Sequence, residues 1–65
     1  MNISINQISH ELPNGSTVAD AVAAIAARPP FAVAVNTNFV PSTRYAEQAL
    51  QPGDRVEIIS PVTGG

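Results

Sequence analysis

Only one stretch of this chain, Val18 to Ala27, sustains the spacing of a helix, and Pro29-Pro30 stands directly after it. Val18, Val22 and Ile25 recur at i, i+4 and i+7, with alanines of high helix propensity between them, so about three turns with one apolar stripe are expected. Thr17-Val18-Ala19-Asp20 has the spacing of a capping box with Asp in place of Glu, which starts the helix at Thr17, and the two prolines are expected to end it. A lone helix cannot bury its own stripe. The remaining segments of a 65-residue chain therefore have to supply the surface it packs on.

Those segments read as strands. Met1, Ile3 and Ile5 alternate with Asn2, Ser4 and Asn6, and Ile8 and Leu12 alternate with Ser9 and Glu11, which predicts a hairpin with one face to the core. Asn6-Gln7 suits its tight turn because Asn tolerates positive φ, and Pro13-Asn14-Gly15-Ser16 ends the second strand. After the helix, Phe31 to Val35 is apolar at nearly every position, as the centre of a sheet covered on both sides would be. Asn36-Thr37-Asn38 turns the chain before Phe39-Val40. Thr43 to Glu47 is expected to form a short helical turn, with Tyr45 and Leu50 tucked inward. Gly53-Asp54 then turns into Arg55-Val56-Glu57-Ile58-Ile59, where Val56 and Ile58 face the core and Glu57 and Ile59 face outward.

Strand, strand, helix, strand, short irregular piece, strand is the ββαββ order of an α+β fold. The first and last strands are expected to pair in parallel at the centre, which needs the crossover that the helix supplies. This is the β-grasp, or ubiquitin-like, arrangement: a mixed sheet with one helix packed on one face. It is expected to span 1–65 as a single domain, with 60–65 a flexible C-terminal tail.

Composition narrows the chemistry. Cys is absent and His10 is the only His, so neither a disulfide framework nor a Cys/His metal site can be built. A net charge of −2, with Arg28, Arg44 and Arg55 as the only basic side chains, offers no stripe to neutralise phosphates. Nucleic acid and anionic membrane are poor partners. No segment approaches the ~20 apolar residues of a membrane span and no charged leader precedes an apolar run, so a cytoplasmic protein is expected. No Ser/His/Asp or Cys/His set and no glycine-rich phosphate loop occurs at a recognisable spacing. His10 reads as a partly buried strand residue, Asp54 as turn chemistry and Tyr45 as packing. The chain is not expected to be an enzyme, nor to bind a metal or cofactor of its own.

The end of the sequence is different. Gly64-Gly65 places a carboxylate on backbone that carries no side chains, a shape that enters a narrow slot. Six residues after Ile59 reach at most about 20 Å, enough to carry that carboxylate from the folded body into a partner's active site. Ile59, exposed directly before the tail, and Pro61, Val62 and Thr63 within it are the expected partner contacts, and Gly64 gives the tail its access. A carboxylate is a poor electrophile, so acyl chemistry would need another protein to convert it to an acyl adenylate with ATP. All three basic residues are Arg, so the chain has no ε-amine on which to build conjugates of itself.

In order along the chain, the opening Ile3-Ser4-Ile5-Asn6, the run Leu12-Pro13-Asn14-Gly15-Ser16-Thr17-Val18 into the helix, and Val33-Ala34-Val35-Asn36 with Phe39-Val40-Pro41 resemble the ThiS family of sulfur carriers. Leu50-Gln51-Pro52-Gly53-Asp54-Arg55-Val56-Glu57-Ile58 and the terminal Gly64-Gly65 complete the likeness. The resemblance implies that Gly65 is adenylated by a ThiF-type enzyme and takes sulfur from a cysteine desulfurase persulfide. The resulting thiocarboxylate would be delivered to thiazole synthase, ThiG, in thiamine biosynthesis, making the chain a protein co-substrate. The ending Pro61-Val62-Thr63-Gly64-Gly65 is also similar to that of MoaD, the small subunit of molybdopterin synthase, while the short body favours ThiS. A MoaD-like subunit and a small ubiquitin-like modifier are the alternatives.

Overall fold

Two hairpin turns set the register of the sheet. Asn6 and Gln7 have φ of 51° and 69°, and Asn36 and Thr37 have φ of 50° and 71°. Positive φ at both central residues is the type I′ geometry, whose twist matches that of the flanking strands. In the computed structural model, which describes residues 1–60, these turns join β1 (Asn2–Ile5) to β2 (Ile8–Glu11) and β3 (Ala32–Val35) to β4 (Asn38–Val40). Helix α1 (Val18–Ala24) lies between the hairpins, and a 3₁₀ turn (Ser42–Arg44) precedes β5 (Arg55–Ile59). Of the tail expected over 60–65, all but Ser60 lies outside the described residues.

The sheet order is β2-β1-β5-β3-β4, with β1 and β5 parallel and the other neighbours antiparallel. The parallel pairing of first and last strands is as expected. β5 occupies the centre with β1 beside it, as that pairing implies, whereas β3, also read as central from its apolar run, lies one place inward from the edge. In β3 only Val33 and Val35 are buried, while Ala32 and Ala34 are half-buried on the other face. The run is apolar on both sides because the outward positions hold alanine, not because a second layer covers them.

Inward residues from four strands form one core: Ile3 and Ile5, Val33 and Val35, Val40, and Val56 with Ile58. Val18 and Ala21 of the helix and Leu50 of the long loop close it, with Val22, Ile25, Phe31 and Tyr45 partly buried around them. Tyr45 stacks on Phe31, ring centroids 5.9 Å apart and 11° from parallel, which agrees with the packing role read for it. Ile8 departs from expectation. It pairs with Ile5 and shares its face, yet it is 64% exposed, because β2 is the edge strand and none of the described residues covers its turn end.

The helix begins as its capping box implies: the Asp20 carboxylate accepts from the Thr17 backbone N–H at 2.8 Å and from its hydroxyl at 3.3 Å. The first orphan donors are met from across the fold, Val18 N–H by the Gln48 carbonyl at 2.9 Å and Ala19 N–H by that of Tyr45 at 3.0 Å. Its end corrects the sequence reading. The helix stops at Ala24, not Ala27, and Ile25 caps it well before the prolines. Ala26 N–H donates to the Ala23 carbonyl at 3.1 Å and Ala27 N–H to that of Val22 at 3.2 Å, with Ala26 at φ 53°. These are the paired bonds of a Schellman cap, here with alanine where glycine usually sits. Ala26→Gly is therefore expected to stabilise the protein by about 1 kcal/mol, after the extra flexibility of glycine in the unfolded chain is subtracted. Thermal unfolding should show a midpoint raised by roughly 4–8 °C; a lowered midpoint would mean that the alanine methyl contributes packing outweighing the backbone strain.

Asp54 is turn chemistry, as read. Its carboxylate accepts from the Gln51 backbone N–H at 2.8 Å and from the Asn36 amide at 3.0 Å, tying the turn before β5 to the β3–β4 hairpin. The short helical turn expected over Thr43 to Glu47 is one 3₁₀ turn placed slightly earlier, at Ser42–Arg44. Leu50 is buried and Tyr45 half-buried, both inward as expected.

Candidate partner-docking face

The helix covers one face of the sheet and leaves the other open. Strand alternation and register decide which residues share that open face. Ile59 pairs with Ala32, Glu57 with Ala34, and Ala34 in turn with Phe39, so these five side chains project from the same side. Phe39 is 69% exposed and Ile59 59%, the bulky members of a shallow apolar strip floored by Ala32 and Ala34. Small residues between two large exposed ones leave room for a partner side chain to insert, and clustered exposed apolar groups mark contact surfaces.

A polar region adjoins the strip. Ser4 pairs with Arg55 on the same face, and a depression of about 230 Å³ lies among Ser4, Gln7, Asn36, Thr37, Arg55 and Glu57. That volume is below the ~300 Å³ at which small-molecule sites begin, so the depression suits a partner's polar side chain better than a substrate.

Position relative to the chain end gives this face its interest. Ile59 is the last residue of β5, so the central strand itself delivers Ser60 at the edge of the apolar strip. The Asn6 side chain holds that delivery point in place. Its Oδ1 accepts from the Ile58 N–H at 2.8 Å and its Nδ2 donates to the Ile58 carbonyl at 3.2 Å, which continues the parallel ladder where the β1 backbone turns away.

Of the residues singled out from sequence, Ile59 stands on the outer face where alternation put it. Pro61, Val62, Thr63, Gly64 and Gly65 lie outside the described residues. His10 is half-buried on edge strand β2 opposite Ile3, away from the strip. Phe39 was missed as a contact residue. The signal was present: a two-residue turn at Asn36-Thr37 sets Val40 opposite Val33, and an inward Val40 forces Phe39 outward. Among the described residues no cluster of three or more His, Asp or Glu could hold a metal ion, and no helix is long and apolar enough to cross a membrane.

The comparisons with known proteins agree with this architecture. Among curated proteins none matches. Among solved structures, the crystal structure of the thiamine biosynthesis protein ThiS from Geobacter metallireducens matches with a TM-score of 0.82 at 19% identity, covering 100% of each chain. At that identity the likeness establishes a common β-grasp fold. The family model of ThiS matches residues 3–65, from the first strand to the final glycine. With nearly every residue inside that match, the chain belongs to the ThiS family, the small sulfur carriers of thiamine biosynthesis.

Proposed function

We propose that this protein carries sulfur as a thiocarboxylate on Gly65 and serves as a co-substrate for partner enzymes. The observation that carries the reading is the family match running through Gly65, on a fold whose central strand ends in an exposed Ile59 at the rim of an uncovered apolar strip. A ThiF-type enzyme joins the Gly65 carboxylate to AMP, releasing pyrophosphate from ATP. The terminal sulfur of a persulfide, supplied by a cysteine desulfurase or another donor, then attacks the carbonyl carbon, and AMP leaves with the electron pair of the broken C–O bond. A second thiol cleaves the resulting acyl disulfide and frees the thiocarboxylate, which thiazole synthase consumes. The chain itself holds no cofactor; ATP is used by the activating partner.

Incubation with ATP, the adenylating enzyme and a persulfide donor should change the intact mass by one oxygen replaced by sulfur, localised to Gly65. No mass change with any activating system would sink the carrier reading. The MoaD-like ending of the sequence favours a second destination, so both acceptors belong in the assay. Sulfur reaching a molybdopterin precursor and never the thiazole would reassign the pathway and leave the carrier chemistry standing.

The docking face has its own test. Ile59→Asp places a charge where a partner's apolar surface should seat, and is expected to weaken the complex with the adenylating enzyme by about tenfold or more. Because Ile59 is exposed, the thermal midpoint should stay within a few degrees of wild type. A collapse in stability would assign Ile59 to the core instead.

A further inference from the structure

An activated carboxyl is consumed by whatever nucleophile reaches it first, and amines are the strongest contenders that a protein usually carries. This chain has nearly none. Lys and Cys are absent from its 65 residues, and its cationic side chains are the guanidinium groups of Arg28, Arg44 and Arg55, which stay protonated and do not act as amine nucleophiles. The one amine of the chain is the α-amine of Met1.

Three observations take that amine out of play. It donates to Glu11 Oε2 at 2.8 Å and to the Leu12 carbonyl at 2.7 Å, so two of its three N–H groups are held by acceptors at the end of the neighbouring strand. The Met1 side chain is 2% exposed and packs against the core, which anchors the residue that bears it. The third observation is topological. β1 runs parallel to β5 with Ser4 beside Arg55, so Met1 lies level with a point three residues before Arg55, while Ile59 lies four residues beyond it. Seven residues of strand separate the two levels by about 23 Å. The six residues after Ile59 span at most about 20 Å, and they would also have to reverse direction to reach back.

We infer that this protein is a one-way acyl donor, built so that no amine of its own can take its activated C-terminus. The biological meaning rests on the activation proposed above. The step that the arrangement prevents is aminolysis: an amine lone pair attacks the activated carbonyl carbon, a C–N bond forms, and the bond to the leaving group breaks. AMP or thiol departs with the electron pair, and the nitrogen loses one proton to solvent. Without that side reaction the acyl group persists until a partner presents its own nucleophile.

The position that most exposes the design is Arg28. Ala32 pairs with Ile59, so the segment leading into β3 starts beside the place where the tail leaves the sheet, and Arg28, exposed four residues earlier, is within the tail's reach. The test uses the whole chain released from an intein fusion with Gly65 as an alkyl thioester, in mildly alkaline buffer, followed by intact mass and peptide mapping. No ATP or activating enzyme is needed, so the result is separate from that of the adenylation assay. Wild type should lose its thiol by hydrolysis alone. Arg28→Lys should give about tenfold or more of a self-amide joining Lys at position 28 to Gly65, since the tail holds the reacting groups at high effective concentration. Arg28→Gln should behave as wild type, showing that the new amine and not loss of the guanidinium is responsible. A wild-type thioester that cyclises or dimerises through Met1 would overturn the inference, and so would an Arg28→Lys chain that forms no self-amide.

Discussion

Adding one residue after Gly65, or deleting Gly65, is expected to lower the rate of adenylation by about a hundredfold or more without unfolding the protein. β5 ends at Ile59, held in register by Ala32 on one side and by the Asn6 amide on Ile58. The distance from that fixed point to the reacting carboxyl is then set by chain length alone. One residue moves the carboxyl by ~3.5 Å, several times the ~1 Å misplacement that already costs about a hundredfold. Pyrophosphate exchange with the adenylating enzyme would measure the loss, and circular dichroism would confirm that the fold is intact. An extended chain adenylated at the wild-type rate would show that the terminal carboxylate is not the reacting group.

Asn6→Ala should have the largest effect on the folded body, about 2 kcal/mol. Two backbone groups of Ile58 depend on this one side chain, and each is partly buried. Removing it forfeits two hydrogen bonds and leaves an N–H and a carbonyl to find water at the rim of the sheet, at about 1 kcal/mol for each. For a domain of this size the thermal midpoint should fall by roughly 8–16 °C. Asn6→Asp is the informative companion, because it keeps the acceptor for the Ile58 N–H and loses only the donor to the carbonyl. It should recover part of the loss. A midpoint for Asn6→Ala within a few degrees of wild type would mean that water replaces both bonds without cost.

Much of the fold was legible because the strands on either side of the helix alternate cleanly. Val56 and Ile58 inward with Glu57 and Ile59 outward is a local statement, and the structure agrees residue by residue. Phe31 to Val35 misled because an apolar run does not say what covers it: Ala32 and Ala34 are small enough to stand half-exposed on an open face. The docking face was half legible for the same reason. Ile59 follows from its own strand, but Phe39 joins it only through the pairings of Ala34 with Phe39 and of Ala32 with Ile59, which bring two distant segments onto β3.

The sequence by itself determined four of the five strands and their order around the single helix, the capping box of that helix, the side-chain-free ending Gly64-Gly65 and the absence of any Lys or Cys. These are properties of residue type and spacing, and they need no neighbour to be true. Only the tertiary structure decided that β3 lies beside the edge strand and not at the centre, that Ile8 stands uncovered at an edge, and that the start of α1 docks on the carbonyls of Tyr45 and Gln48. It also placed the Met1 amine and the end of β5 at opposite ends of the sheet, through the parallel pairing of β1 with β5. Periodicity reports which way a side chain faces relative to its own backbone. What it faces depends on contacts between segments as far apart as Asn6 and Ile58, and those form only when the whole chain closes its core.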